Sequence, residues 1–269
     1  PPAVNDIYLL DHLGMLGIPL VPASTFPADA PEVLLPTQAA GDAALLKKVV
    51  AATKPGKTFV FTPGLLATAP DGEALARLAG VKCPRTPELL SAQAVRTPQG
   101  DVEVPRGLDL AARLATSGAR VVLSAVVDGE AVPLLTEFEK DYCRYLVLNL
   151  RGYGKADFEA TGEYLLSPRE LGVLDLPQPA CDILRQDIAG VFVGELSLPA
   201  RVTVHDLGPA GWVVKNYTGR PIEVNFRHTV LRQESGDKHT KENKNTCKPV
   251  KIDIDNMVWM RGNALTAGE

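Results

Sequence analysis

Cysteine is scarce in this chain, and what there is does not pair. Cys83, Cys143, Cys181 and Cys247 are the four in 269 residues. None stands in a C-x-x-C pair, so neither a zinc site nor a dithiol redox motif is expected. Cys181 reads as core, whereas spacing alone does not pair Cys83 with Cys247, so cysteine usage fixes no compartment. Long apolar runs are missing as well: nothing approaches the ~18 residues of a membrane helix, and no membrane partner is expected. A strong charge of one sign is also absent. The net charge is −4, with 17 basic against 24 acidic residues over 1–200 and 11 against 8 over 201–269. The surplus of +3 in the C-terminal part is too weak for a phosphate-tracking surface, so no nucleic acid is expected as a partner. The opening PPAVND has neither an initiator Met nor a basic n-region. It predicts a chain that begins inside a longer polypeptide or after a processed segment.

What is present is 45% hydrophobic and 22% charged residues, the balance of a globular protein with one large domain or two ordinary ones. The first 80 residues alternate helix and strand. Asn5 or Asp6 caps a helix carrying Ile7, Leu9, Leu10 and Leu13, closed by Gly14 and Gly17, and Ile18–Val21 starts an extended segment. A strand at Glu32–Leu35 ends at Pro36. Asp42 then caps a helix with Leu45, Leu46, Val49 and Val50 on one face and Pro55-Gly56 as its stop. Thr58–Phe61 is the next strand and runs into Thr62-Pro63-Gly64, read as a turn; Gly72–Leu78 is a short helix ended by Gly80. Strands separated by amphipathic helices predict a parallel sheet with right-handed crossovers.

From residue 92 the pattern changes. Ala119–Val127 and Ala131–Thr136 flank Asp128-Gly129, a hairpin signal, and Arg144–Asn149 follows as the antiparallel completion of the same sheet. Pro179 suits the first turn of a helix with Ala180, Ile183, Leu184, Ile188, Val191 and Phe192 on one stripe. Beyond Leu198 the period becomes two, in VTVHD, PIEVNF and VKIDID, which predicts a small antiparallel β domain. The polar stretch Gln233–Lys248 between its later strands reads as a long exposed tip or disorder.

Chemistry is harder to find. In an open α/β sheet the loops after strand C-termini carry ligands and nucleophiles. Here that position is Thr62-Pro63-Gly64, with no Cys, Ser or His and one backbone N–H fewer. Gly152-Tyr153-Gly154-Lys155 lacks the spacing of a phosphate loop, and Asp253, Asp255 and Asn256 lack the glycine of a calcium loop. His12, His205, His228 and His239 show no ligand spacing and read as surface or hydrogen-bonded residues; no metal and no cofactor are expected. Asp128, Glu130, Glu137, Glu139 and Asp141 cluster in sequence. Glu137, Glu139 and Asp141 share a parity that reads as a solvent-facing strand end, the alternative being a small hydrolase with two of the cluster in one pocket. Asn216-Tyr217-Thr218 is a glycosylation sequon. Trp212, Tyr217 and Trp259 are candidates for a carbohydrate-stacking face, against the commoner role of such aromatics in a small core.

The segments IYLLDHLGMLGIPLVPAS, EVLLP and DAALLKKVVAATKPGKTFVFTPGLL resemble the class I glutamine-amidotransferase-like fold. The layout is similar in particular to the trimerisation domain of family 42 β-galactosidases, with Pro55-Gly56 where that family has Gly-Gly. SLPARVTVHD and GWVVKNYTGRPIEVNF resemble the small C-terminal β domain that follows there. The resemblance implies a flavodoxin-like three-layer α/β domain with a mixed, mainly parallel sheet over residues 1–195 and a small antiparallel β-sandwich domain over 196–269. The G-x-C-x-G elbow and H-x-E of active amidotransferases are missing, so no catalytic residue carries over. What the resemblance implies is a non-catalytic accessory or oligomerisation region of a carbohydrate-active protein, with a homo-oligomer and a carbohydrate ligand as the expected partners.

Overall fold

Thr58-Phe59-Val60-Phe61 is buried along its whole length, which a strand achieves only when both faces of its sheet are covered. The computed structural model describes residues 9–18, 20–86, 88–151, 176–189, 198–206, 212–218, 220–225, 249–252, 257–261 and 264–266. The segment 58–61 (β2) pairs in parallel with Glu32–Leu35 (β1) on one side and with Cys143–Leu148 (β9) on the other. Beyond β9 the sheet continues through Glu130–Lys140 (β8), Arg120–Val127 (β7), Leu90–Thr97 (β4) and Gly100–Leu110 (β5), all antiparallel to their neighbours. The order is β1-β2-β9-β8-β7-β4-β5, and Val81–Lys82 (β3) and Ala115–Thr116 (β6) make a separate short pair.

The α/β class is therefore as the sequence implies. The sheet is mixed but not mainly parallel: parallel pairing is confined to β1–β2, joined through a helix, and β2–β9, where β9 comes in from its hairpin with β8, while the other four pairings are antiparallel. The β7–β8 and β8–β9 joints are two-residue turns, Asp128-Gly129 and Asp141-Tyr142, with all four residues at positive φ. The β4–β5 hairpin has no counterpart in the sequence reading. Its outer strand β5 carries Pro105 and Gly107, which speak against a central strand but are admissible at the sheet edge where β5 lies.

Helices Leu45–Ala51 (α2), Pro63–Thr68 (α3) and Gly72–Leu78 (α4) cover one face. They close a core of Val33, Leu35, Leu45, Val49, Phe59, Phe61, Leu65, Leu75, Tyr145 and Val147. Phe59 stacks on Tyr145 with centroids 5.6 Å apart. Asp42 does bond the start of α2, accepting from Ala44 N at 3.0 Å. The predicted face is narrower than expected, since Val50 is 54% exposed while Leu45 and Val49 are buried. Gly72 is required at the α3–α4 joint: a Cβ there would stand 2.0 Å from the Leu66 carbonyl oxygen. Over the other face, helix Gln178–Ala189 (α5) brings Asp187 to Arg144, while Leu9–Met15 (α1) carries His12 into a buried position, 2% exposed, not the surface. Residues 20–24 form no strand, and Val21 is fully outward.

Lys57, at the entry to β2, is buried, and its ammonium donates to the carbonyls of Ala28 (2.8 Å), Pro27 (3.5 Å) and Ala30 while lying 5.4 Å from the Phe59 ring centroid. Burial is the main influence lowering its pKa. Lys57→Met keeps the packing but strands these carbonyls. It is expected to cost about 2–3 kcal/mol in urea unfolding, with the 27–30 segment gaining amide exchange first.

The chain divides into two compact units, 1–14 with 20–188 and 15–19 with 189–269. The second therefore includes a five-residue piece, Met15–Pro19, that a division at 195/196 does not contain. Its strands are Val202–Asp206 (β10), Trp212–Asn216 (β11), Met257–Arg261 (β14) and Ala264–Thr266 (β15) in one antiparallel sheet, and Ile222–Asn225 (β12) with Pro249–Ile252 (β13) in another. The proposed helix caps Asn5 and Asp6, the Gly152–Lys155 fragment, Asp253–Asn256 and the polar stretch 233–248 lie outside the described residues.

Candidate functional site

The end of β2, the place where this kind of sheet puts its chemistry, starts a helix. Thr62 has extended geometry, and its hydroxyl oxygen accepts from Leu65 N at 3.3 Å, with Pro63 in the first turn of α3. Thr-Pro is a helix-start signal, a capping hydroxyl followed by a residue with no N–H to satisfy. The turn read from sequence is thus a cap, and the one hydroxyl at the position is committed to the backbone.

A thiol does reach this strand end, from another part of the chain. Cys83 Sγ lies 3.7 Å from the Pro63 carbonyl oxygen. No local motif reveals it, because the 20-residue separation is closed only by folding. Burial pushes this thiol up to about 12, so it is not a thiolate at neutral pH. Iodoacetamide at about pH 8 is expected to alkylate folded Cys83 at least tenfold more slowly than the unfolded chain, as judged by mass spectrometry. Cys83, Cys143 and Cys181 are free thiols, and Cys247 is outside the described residues.

The carboxylates of 128–141 do not share a pocket. Asp128 forms the β7–β8 turn, Glu130 pairs with Arg113 at 3.0 Å on the surface, and Glu139 and Asp141 are exposed. Glu137 departs from its predicted solvent-facing position: it is 9% exposed. The reason is topological, since β8 is an interior strand and carries four consecutive buried residues, Leu134 to Glu137. Its carboxylate is met from both neighbouring strands, by Arg120 on β7 and by Arg144 Nε on β9 at 2.7 Å. Burial alone would raise the Glu137 carboxyl, but the two guanidinium hydrogen bonds hold it below the ordinary value.

Arg144 also reaches Asp187 on α5, whose Oδ1 accepts from Nη2 at 3.5 Å. Desolvation, reinforced by Glu137, pushes the Asp187 carboxyl up. Two carboxylates with pKa values driven apart is the arrangement of an acid–base pair. Here both oxygens of the lower one are taken by arginines, so it cannot receive a proton from a substrate without breaking the pair. The cluster holds α5 to the sheet. Among the described residues, no three His, Cys, Asp or Glu side chains come together as metal ligands.

In the second unit, Trp212 pairs with Met260, and Val213 pairs with Trp259. Along β11 the positions of Val213, Lys215 and Tyr217 alternate with those of Trp212, Val214 and Asn216, so Trp259 is in register with the set containing Tyr217 and Trp212 is not. Val214 and Asn216 are buried, whereas Tyr217 is 47% exposed with Lys215 Nζ 4.8 Å from its ring centroid. The sequon is spent internally. Asn216 Oδ1 accepts from Thr218 N (2.9 Å) and Thr218 Oγ1 (2.7 Å), and its Nδ2 donates to the Arg220 carbonyl at 2.7 Å. A glycan on Asn216 would break this turn.

No protein-family model matches the chain, and no curated protein matches it. Solved structures similar to it include the GH42 β-galactosidase Gan42B (14% identity, TM-score 0.47, 94% of this chain and 36% of that one). The polyextremophilic β-galactosidase of the Antarctic haloarchaeon Halorubrum lacusprofundi is similar at 14% identity and a TM-score of 0.47, over 97% of this chain and 36% of that one. The cold-adapted β-galactosidase of Rahnella sp. R3 follows at 12% identity and a TM-score of 0.43, over 91% and 34%. The chain spans about a third of the length of each of these proteins.

Proposed function

We propose that this chain is a non-catalytic, self-associating accessory region of a carbohydrate-active, glycoside hydrolase-like protein. The observation that carries the non-catalytic part is the end of β2 where, among the described residues, the Thr62 hydroxyl caps a helix and the nearby Cys83 thiol is pushed up by burial. The carbohydrate part follows from the layout resemblance described for the sequence. Self-association is supported by the rim of the first unit. Tyr142 is 86% exposed and sits at φ 62, a left-handed conformation that a bulky residue adopts at a cost of about 1–2 kcal/mol. Its carbonyl accepts from Gly56 N at 3.1 Å, which sets it beside the loop after α2, next to exposed Pro55 and the helix that bears exposed Val50. An exposed aromatic kept in an unfavourable backbone state, beside other exposed apolar residues, is what an interface anchor requires.

Tyr142→Gly tests this, because it relieves the backbone while deleting the anchor. The monomer is expected to keep or gain stability, by up to about 1 kcal/mol, while the self-association constant measured by sedimentation falls at least tenfold. A strictly monomeric wild-type chain would remove the role. A second reading is a carbohydrate-binding face on the β unit, favoured by the exposure of Tyr217.

A further inference from the structure

Val21, Pro22, Ala23, Ser24 and Thr25 are five exposed residues in a row, and Val21 is 90% exposed. Leu20 to Thr25 also enter into no hydrogen bond, by backbone or side chain. The run is nevertheless held at both ends. On its N-terminal side Leu9, Leu13, Leu16 and Ile18 are buried, and the Leu16 carbonyl accepts from Arg201 N at 3.0 Å. On its C-terminal side Phe26 packs against the core of the first unit, Ala28 N donates to the Phe26 carbonyl (3.0 Å) and Ala30 N to the Pro27 carbonyl (3.2 Å). The Lys57 ammonium then closes on the Ala28 carbonyl at 2.8 Å. The dipeptide Pro-Ala stands on each side of that boundary, as Pro22-Ala23 in the unbonded run and as Pro27-Ala28 under Lys57. An enzyme that takes a peptide as an added strand needs main-chain N–H and C=O groups free to pair. Pro22-Ala23 offers them as the protein stands, whereas Pro27-Ala28 must first open.

We propose that the Ala23–Ser24 bond is a processing site for a serine endopeptidase with a small S1 pocket, and that the cut protein stays assembled. The Ala23 methyl suits such a pocket, which excludes larger side chains. Hydrolysis adds water across the amide, OH to the Ala23 carbonyl carbon and H to the Ser24 nitrogen, and the acid's proton passes to the new amine. The resulting carboxylate and ammonium form on exposed residues, so neither charge is taken out of water. Residues 1–23 lose their covalent tie to 24–269 and keep their packing, with 1–14 counted in the first unit and 15–19 in the second. The buried Leu9, Leu13, Leu16 and Ile18 are what retain this piece.

The test treats the folded full chain, and a synthetic peptide of residues 18–33 as the unfolded reference, with trace pancreatic elastase and follows the fragments by mass spectrometry. The rate of cutting after Ala23 relative to that after Ala28 is expected to be at least about tenfold higher in the folded chain than in the peptide. Lys57→Met frees the Ala28 carbonyl and should bring that ratio down at least about threefold. Ala23→Asp, a change on an exposed residue, should slow the cut between 23 and 24 at least about tenfold in folded chain and peptide alike. On gel filtration without denaturant, fragments 1–23 and 24–269 should elute together. A folded-chain ratio equal to the peptide's, or one unmoved by Lys57→Met, overturns the proposal, as does separate elution of fragment 1–23. If Lys57→Met does not fold, Ala23→Asp, checked for unchanged melting, carries the test, and cutting at an unchanged rate between 23 and 24 then overturns it.

Discussion

Asn149→Ala is expected to lower the unfolding free energy by about 3–5 kcal/mol and the melting temperature by roughly 10 °C, the largest effect of any polar substitution in the first unit. Asn149 is fully buried just past β9. Its Oδ1 accepts from Ala111 N (3.1 Å) and Ala112 N (3.0 Å), and its Nδ2 donates to the carbonyls of Ala112 (2.7 Å) and Pro133 (2.8 Å). One side chain thus fills its whole hydrogen-bonding capacity with backbone from two places, the segment leaving β5 and strand β8, and ties both to the end of β9. Truncation leaves two donors and two acceptors inside the protein without partners, and apolar neighbours cannot replace them. Asn149→Asp separates the two halves of the argument. It keeps the acceptor for Ala111 and Ala112 but sets a carboxylate against two carbonyls, so the variant should recover stability as acid protonates it. Chemical denaturation across pH measures both, and an Asn149→Ala loss below about 1 kcal/mol would sink the account.

Glu137→Gln should cost about 2–4 kcal/mol at neutral pH, since it removes the charge that neutralises Arg144, whose side chain is only 28% exposed. The share owed to Arg120 is small, because that guanidinium is 66% exposed and water screens it. Glu137 has a folded pKa below its ordinary value of 4.5. Its contribution is therefore complete above the unfolded value and is lost as pH falls through the lower folded one. Asp187 runs the other way. Its folded pKa is raised, so its burial as an anion is a penalty that is fully felt above the folded value and relieved as pH drops. Glu137→Gln should flatten the acid limb of stability against pH. Asp187→Asn should leave neutral stability unchanged within about 1 kcal/mol and make the acid limb steeper. Urea midpoints between about pH 3 and 7 distinguish the two, and parallel curves for wild type and Glu137→Gln would rule out the ion pair as a source of stability.

Both sites show what periodicity carries and what it does not. Short-range signals were readable: the Asp128-Gly129 hairpin, the helix at Gly72–Leu78 with Gly80 at φ 63 beyond it, and the strands at 32–35 and 58–61. The alternation of β4 and the Pro-Gln-Gly loop at 98–100 were equally local, yet Pro105 masks the partner strand unless its edge position is known. Thr62-Pro63 carries a helix-start signal that is local, a capping hydroxyl followed by a residue with no N–H. Glu137 was out of reach by parity, because the two-face rule assumes one wet face and the stretch Leu134 to Glu137 of β8 has none. Cys83 beside Pro63, and Asn149 among three segments, depend on contacts 16 to 38 residues apart that no local pattern encodes.

The short piece Met15–Pro19 has a consequence for how the protein is made. It belongs with residues 189–269, and Leu16 accepts a hydrogen bond from Arg201 N at 3.0 Å. The second unit is therefore built from two stretches synthesised far apart in time. The ribosome delivers residues 15–19 before residues 20–188, and only after those do their partners in 189–269 exist. During that interval Leu16 and Ile18, both buried in the finished protein, wait without their unit. Chaperone demand should track that delay, and a fragment cut to begin at residue 189 would leave the ribosome lacking a piece of its own fold.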